Sequence, residues 1–309
     1  MSRRATKKSR SPRGEGGGRG GEGGGRAFYV YCVGASAALA PLFEAELPEA
    51  IEGGARLEAV EAEGLAAVVS EAPLDVYGEG ALAERMADAA WLATRALRHE
   101  RVAEHFARQT SVAPLRFGSI YLRREGVAAM LAEWAGQFRE VIARLEGREE
   151  WGLNVYVERA RLREEVTRLS ARLRELSERA AGAAPGQAYL LRKKIEGLRD
   201  EEARAETRRV AREVEERLAE ASDGAARLRV LRDEATEQGE LAARLAFLVR
   251  REAFGRFRDA AERLAAEHTP LGFRFELTGP WPAYNFAVAG GEGGEGREAE
   301  GEGEDAEGV

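Results

Sequence analysis

The apolar periodicity of this 309-residue chain writes one order of strands and helices twice over. The first pass opens with "AFYVYCVGA", in which Phe28, Tyr29, Val30, Tyr31 and Val33 are aromatic or β-branched and Gly34 ends the run. That composition predicts a buried strand. "ALAPLFEAELPEAIEGG" follows as a short, imperfect helix. "ARLEAVEAEGLAAVVSEAP" reads as two strands about a turn at Glu63–Gly64. Leu82, Met86, Ala89, Ala93, Leu97 and Phe106 keep helical spacing from about Ala81 to Arg108. "TSVAPLRFGSIYL" is extended again. The order β-α-β-β-α-β is that of the split-βαβ, ferredoxin-like unit. An amphipathic helix from Glu125 to Glu146 leads into the second pass.

That pass opens with "EEWGLNVYVE", where Trp151, Leu153, Val155 and Val157 share one face of a strand. Leu162, Val166, Leu169, Leu173, Leu176 and Ala180 then recur in alternating steps of four and three, a heptad seam. "AGAAPG" breaks the helix at Pro185 and Gly186. A second charged helix, from near Gln187, carries Leu191, Ile195, Leu198, Ala205, Val210, Val214 and Leu218. Two such helices joined by a short turn predict an antiparallel hairpin over residues 159–222. "ARLRVLRDE" and "ARLAFLVRR" read as paired strands, although "ELAARLAFLVRREAFGRF" also fits one continuous helix. Glu252 to Glu267 is helical. "LGFRFELTG" alternates Phe273, Phe275 and Leu277 against Arg274 and Glu276 and is a strand. The expected fold is α+β: two ferredoxin-like domains, 27–148 and 149–288, the second enlarged by the helical hairpin.

The ends of the chain are of another kind. Residues 1–26 hold eight Lys or Arg against two Glu, and residues 289–309 hold eight Asp or Glu against one Arg. Both are Gly-rich with almost no large apolar residue, so burial cannot offset the entropy of ordering them. Both are expected to be disordered. A basic Gly/Arg arm can bind nucleic acid, but no aromatic residues interleave its arginines for base stacking. A solubilising extension is the plainer reading. No apolar run follows the basic start, so it is not a secretory signal, and no stretch has the roughly 18 apolar residues of a membrane span. A cytoplasmic protein is expected.

Reactive chemistry has little to build on. Cys32 is the only cysteine, which excludes an intramolecular disulfide and a cysteine metal cluster. On a buried strand it reads as an inert core thiol. His99 and His105 fall on different faces of one helix, and His268 sits at a helix end, where a cation suits the dipole. No H-E-x-x-H, Walker A loop or G-x-S-x-G elbow occurs. The glycine tract at Gly16–Gly25 precedes the first strand, whereas a dinucleotide-binding loop follows one. No cofactor, metal or enzyme activity is expected.

Several of these stretches resemble the gas vesicle protein F/L family: "FYVYCVGA", "VAPLRFGSIY" at 112–121, "EWGLNVYVE" at 150–158, "PGQAYLLRKKIE" at 185–196, "LAFLVRREAFGRF" at 245–257 and, most specifically, "LTGPWPAYNF" at 277–286. The family pattern after the Trp usually reads Pro-Pro-Tyr-Ser-Phe. Here it is Pro282, Ala283, Tyr284, Asn285, Phe286. The resemblance implies two α+β domains and an accessory role in forming gas vesicles, the protein-walled buoyancy organelles of prokaryotes. It implies as partners the small hydrophobic shell subunit and other accessory proteins. The motif residues Gly279, Pro280, Trp281, Pro282, Tyr284 and Phe286, with Arg116, Phe117 and Tyr189, are the candidate structural or partner-binding residues. Glycine and prolines are expected to stop the last strand at this motif. Trp281 and Phe286 are then expected to insert into apolar ground, at a sheet edge or between the domains. The charge-patterned outer faces of the hairpin make it a candidate docking arm.

Overall fold

The computed structural model describes residues 25–230, 235–236 and 239–287. Both tails therefore lie almost wholly outside the described residues. Two antiparallel sheets organise the rest. The first contains β1 (Arg26–Ala35), β2 (Leu57–Ala62), β3 (Leu65–Pro73), β4 (Val112–Pro114) and β5 (Ile120–Tyr121). Its order is β2-β3-β1-β4, with β5 also on β1; α1 (Ser36–Leu39) follows β1 and α2 (Leu74–Tyr77) follows β3. β2 and β3 meet at the expected two-residue turn, where Glu63 (φ 54°) and Gly64 (φ 72°) both adopt positive φ. That backbone matches the twist of the flanking strands.

β1 is buried on both faces, which is why its sequence is nearly continuously apolar. Tyr29 and Tyr31 face one core with Phe106 and Val102 of α4 (Ala89–Gln109). Val30 and Val33 face a second core with Val127 and Leu131 of α5 (Arg124–Glu133). The ladder with β3 shifts register between Val30 and Cys32. The bulge turns Tyr31 and Cys32 to the same core, which strict alternation would forbid.

The helix expected over Ala81–Arg108 is divided. α3 (Glu79–Met86) ends before Asp88, whose carboxylate accepts from the backbone N–H groups of Ala90 and Trp91 at 3.0 and 3.1 Å. This N-cap, worth about 1 kcal/mol, starts α4 afresh. The helix expected over Glu125–Glu146 is also two, α5 and α6 (Ala135–Leu145), broken at Trp134 (φ −104°, ψ 14°).

The second sheet contains β6 (Arg148–Val157), β7 (Gly224–Leu228), β8 (Ala235–Thr236), β9 (Gly239–Arg250) and β10 (Phe273–Trp281). Its order is β10-β6-β9-β7, with β8 on β9. With the short β5 and β8 left out, and counted from the first strand of each half, both sheets follow the order 4-1-3-2. The alternative of one continuous helix through residues 240–257 is overturned: β9 pairs with β6 from Glu240 to Arg250, a 3-10 turn follows at Arg251–Ala253, and the α-helix begins only with α10 (Phe254–His268).

The long insertion is three helices, not two. α7 (Arg159–Leu169) and α8 (Ala171–Ala181) meet at Ser170, whose hydroxyl caps Leu173 N–H at 3.3 Å. α9 (Pro185–Ala219) starts two residues earlier than the sequence suggests. Pro185 opens it rather than merely ending its predecessor, because a first-turn proline forfeits no intrahelical bond. The seam has two ends. Leu162, Val210, Val214 and Leu218 pack on the sheet with Leu245, Phe247 and Phe257. Leu173, Leu176 and Ile195 pack only among the helices, with Val166, Leu191 and Leu198. The part beyond Ser170 thus projects as an arm. Tyr189 and Leu190, at the start of α9, are 64% and 65% exposed.

Candidate functional site

Most of the candidate residues converge where the two sheets meet. β10 does not stop at the glycine and prolines. It runs on to Trp281 across a register shift between Thr278 and Trp281, where the Gly279–Pro280 peptide is cis. Gly279 is required there. Its φ is +125°, and a Cβ would stand 3.0 Å from the Glu150 carbonyl and 3.2 Å from the Trp151 ring.

The bulge alters which residues go inward. Trp281, expected to be inserted, is 44% exposed, and its indole N–H donates to Thr278 Oγ1 at 3.1 Å. Pro282 and Ala283 are buried in its place. Ala283 joins Ala113 of β4, Val141 and Leu145 of α6 and Leu248 of β9 in a small core between the halves. Phe286 packs against that core, half-buried, with its ring over Gly224, where a Cβ would come within 3.1 Å. Arg144 of α6 donates to the Phe286 carbonyl at 2.5 Å.

Polar groups complete the joint. Glu150 of β6 is 4% exposed. Its carboxylate accepts from the Asn285 backbone N–H at 3.0 Å and from Asn285 Nδ2 at 2.6 Å. Burial pushes this carboxyl up to about 7; Asn285 pulls the other way, and Glu100 on α4 raises it further. Glu100 is itself raised, mainly by burial. Tyr284 lies beside Glu100, and burial holds its phenol well above the usual range. Its ring stacks on His99 with centroids 6.0 Å apart.

His99 links this segment to "PLRFGSIY". The Gly118 N–H donates to the Tyr29 hydroxyl at 3.1 Å, which bonds His99 Nδ1 at 2.9 Å. His99 Nε2 bonds the Leu115 carbonyl at 3.1 Å. With the carbonyl accepting, Nε2 carries the proton and Nδ1 accepts from the phenol. Burial lowers the His99 pKa to about 4, so this imidazole is neutral. Phe117 packs edge-on against Tyr29 and His99. Gly118, with φ +87°, closes the turn that places Phe117 there. Arg116 is exposed and contributes its carbonyl to that turn, accepting from Ser119. Tyr189 belongs to the arm and not to this cluster. Cys32 is fully buried and its thiol is pushed far up by burial, which leaves it protonated.

The sequence did not single out Glu150, Asn285, Glu100 or Arg144. Glu150 precedes Trp151 in a strand whose Trp151-side residues form the core, so its own face reads as solvent. The segment after β10 folds over it and Glu100 of the other half lies near it, and neither contact shows in the local pattern.

Residues 27–288 match the family model described as gas vesicle synthesis protein GvpL/GvpF. The chain is 30% identical over 273 residues to gas vesicle protein L of Streptomyces sp. (strain CB03234), covering 85% of this chain and 93% of that protein. Its fold is similar to the crystal structure of gas vesicle protein GvpF from Microcystis aeruginosa, with a TM-score of 0.53, 15% identity, and 85% and 99% of the two chains covered. It is also similar to the crystal structure of GvpF from Anabaena sp. PCC7120, with a TM-score of 0.57, 16% identity, and 86% and 97% covered.

Proposed function

Because the chain belongs to the gas vesicle synthesis protein GvpL/GvpF family, we propose that it is an accessory protein of gas vesicle assembly. It binds the small hydrophobic shell subunit, alone or with other accessory proteins, during nucleation or growth. The observation that carries this reading is the family match over residues 27–288, which takes in all the described strands and helices but for Arg26, the first residue of β1. It acts in the cytoplasm by binding rather than by turnover. No described helix is long and apolar enough to cross a membrane. We read each half as a ferredoxin-like domain, 27–148 and 149–288, on the common strand order. The joint is then a structural element that fixes one domain on the other, and the arm is the docking element. Exposed Tyr189 and Leu190 on the arm, and Trp281 at the edge of the joint, supply apolar contact surface. No observation favours nucleic acid as the partner; the basic residues 1–24 lie outside the described residues.

The test is co-purification from cells expressing a complete gas vesicle gene cluster, beside a deletion of this chain alone. Recovery of the shell subunit, and loss of vesicles on deletion, is the expected result. Normal vesicles without the chain, together with no recovered shell subunit, would overturn the proposal.

A further inference from the structure

Away from the joint, the last turn of α10 lies against α9. His268 ends α10 and is 5% exposed, walled by the rings of Phe273 and Phe275. Neither of its ring nitrogens has a hydrogen-bond partner. Leaving such a group buried and unpaired is destabilising. Nε2 points at Glu213 of α9, 3.6 Å from Oε2. Glu267 completes a group in which one ligand atom from each residue lies within 4.8 Å of the others.

We propose that His268, Glu213 and Glu267 form a binding site for a divalent transition-metal ion of the zinc class. The 3.6 Å gap is too long for a hydrogen bond. It is close to the edge of a tetrahedral metal site, about 3.3–3.4 Å for ligand bonds of about 2.0–2.1 Å. The open fourth position falls to water. An imidazole donor selects zinc-class ions over Mg²⁺ and Ca²⁺, which prefer oxygen alone. Arg209 and Arg217 oppose the site. Arg209 donates to Glu213 at 2.7 Å, and Arg217 reaches Glu213 and Glu267, each at 2.9 Å. Arg209 is held on Glu206 as well, at 2.7 and 2.9 Å, so a bound ion has to take the carboxylates in competition with both guanidinium groups. The expected affinity is therefore modest, in the micromolar range rather than that of a structural zinc site.

The other histidines offer no comparable site: His99 uses both ring nitrogens within the protein, and His105 lies beside Gln109 on the surface. The experiment is a titration of the untagged, chelator-treated full chain with zinc chloride by isothermal calorimetry, with magnesium chloride in parallel. One zinc per chain, no magnesium, and a rise in melting temperature with zinc are expected. Glu267→Gln, a change at a half-exposed position that the fold tolerates, should weaken zinc binding roughly tenfold or more. His268→Gln should abolish it, and His105→Gln should leave it unchanged. Absence of saturable zinc binding, or zinc binding unaffected by Glu267→Gln and His268→Gln, overturns the proposal. So does a Glu267→Gln protein that melts differently but binds zinc as before, since that marks an arginine clamp only.

Discussion

Replacing Glu150 by Gln should make stability less dependent on pH, and the sign follows from the direction of its shift. The folded-state carboxyl titrates at about 7 instead of its ordinary 4.5. Between those values the folded protein holds a proton that the unfolded chain has released. Glu150 thus contributes stability that is fully present below about 4.5 and is lost as pH rises through about 7. The shift corresponds to about 3 kcal/mol between the two limits. Gln carries no charge at either limit. It also loses part of the Asn285 bonding, since its amide nitrogen cannot accept, at a cost of about 1 kcal/mol that does not vary with pH. Urea melts of parent and variant at several pH values from 5 to 8 isolate the effect, because titrating groups not coupled to Glu150 cancel in the difference. At pH 5 the variant should be the less stable protein. By pH 8 the difference should have moved in its favour by about 2–3 kcal/mol. A difference constant within about 1 kcal/mol across that range would refute the account of a buried carboxyl at the joint. Glu100→Gln should show the same sign, since Glu100 is also raised by burial.

Trp281→Ala should cost only about 1–2 kcal/mol in denaturant melts, less than a fully buried aromatic, because nearly half of the ring is already in water. Phe286→Ala, which empties ground between the halves, should cost about 2–3 kcal/mol. A larger loss at Trp281 than at Phe286 would reverse the assignment of the plug. Replacing residues 170–202 by a short turn should leave both sheets folded by circular dichroism, since the sheet-side contacts of Leu162, Val210, Val214 and Leu218 remain. The same protein should fail to support vesicles in cells, and normal vesicles would remove the arm from the docking role. Trimming to residues 27–289 should preserve vesicle formation, with poorer solubility as the acidic end is lost; loss of vesicles from a soluble, folded trimmed protein would show that the tails matter.

The strands were legible wherever one face meets a core and the other does not. Trp151, Leu153, Val155 and Val157 lie on the face the alternation assigns them, and the Glu63–Gly64 turn carries the backbone a two-residue hairpin needs. Helix continuity was less legible because periodicity survives a break. Leu162 to Ala180 keep their seam straight through Ser170, so the spacing conceals the joint between α7 and α8. Asp88 and Ser170 are cap residues, and their type was the available signal. Trp134 offered none.

The candidate site was legible as a motif but not as a geometry. An aromatic between two prolines reads as a buried anchor, yet burial is decided by strand register. The shift at Gly279–Pro280 changes the pairing of Trp281 with Glu150 and turns the indole toward solvent, while Pro282 and Ala283 are covered. Glu150 shows the same limit from the other side. In the linear pattern it is one more charged residue on the outer face of a strand. It becomes a buried acceptor because Asn285, 135 positions along the chain, is carried back over it by the segment that follows β10. A contact of that separation follows from the pairing of β10 with β6, and Glu100 comes near it only because the two sheets are docked. The residues that dock them, Ala113, Val141, Leu145, Leu248 and Ala283, are scattered across both halves. None of them departs from what an ordinary core position requires, so no local pattern announces the joint.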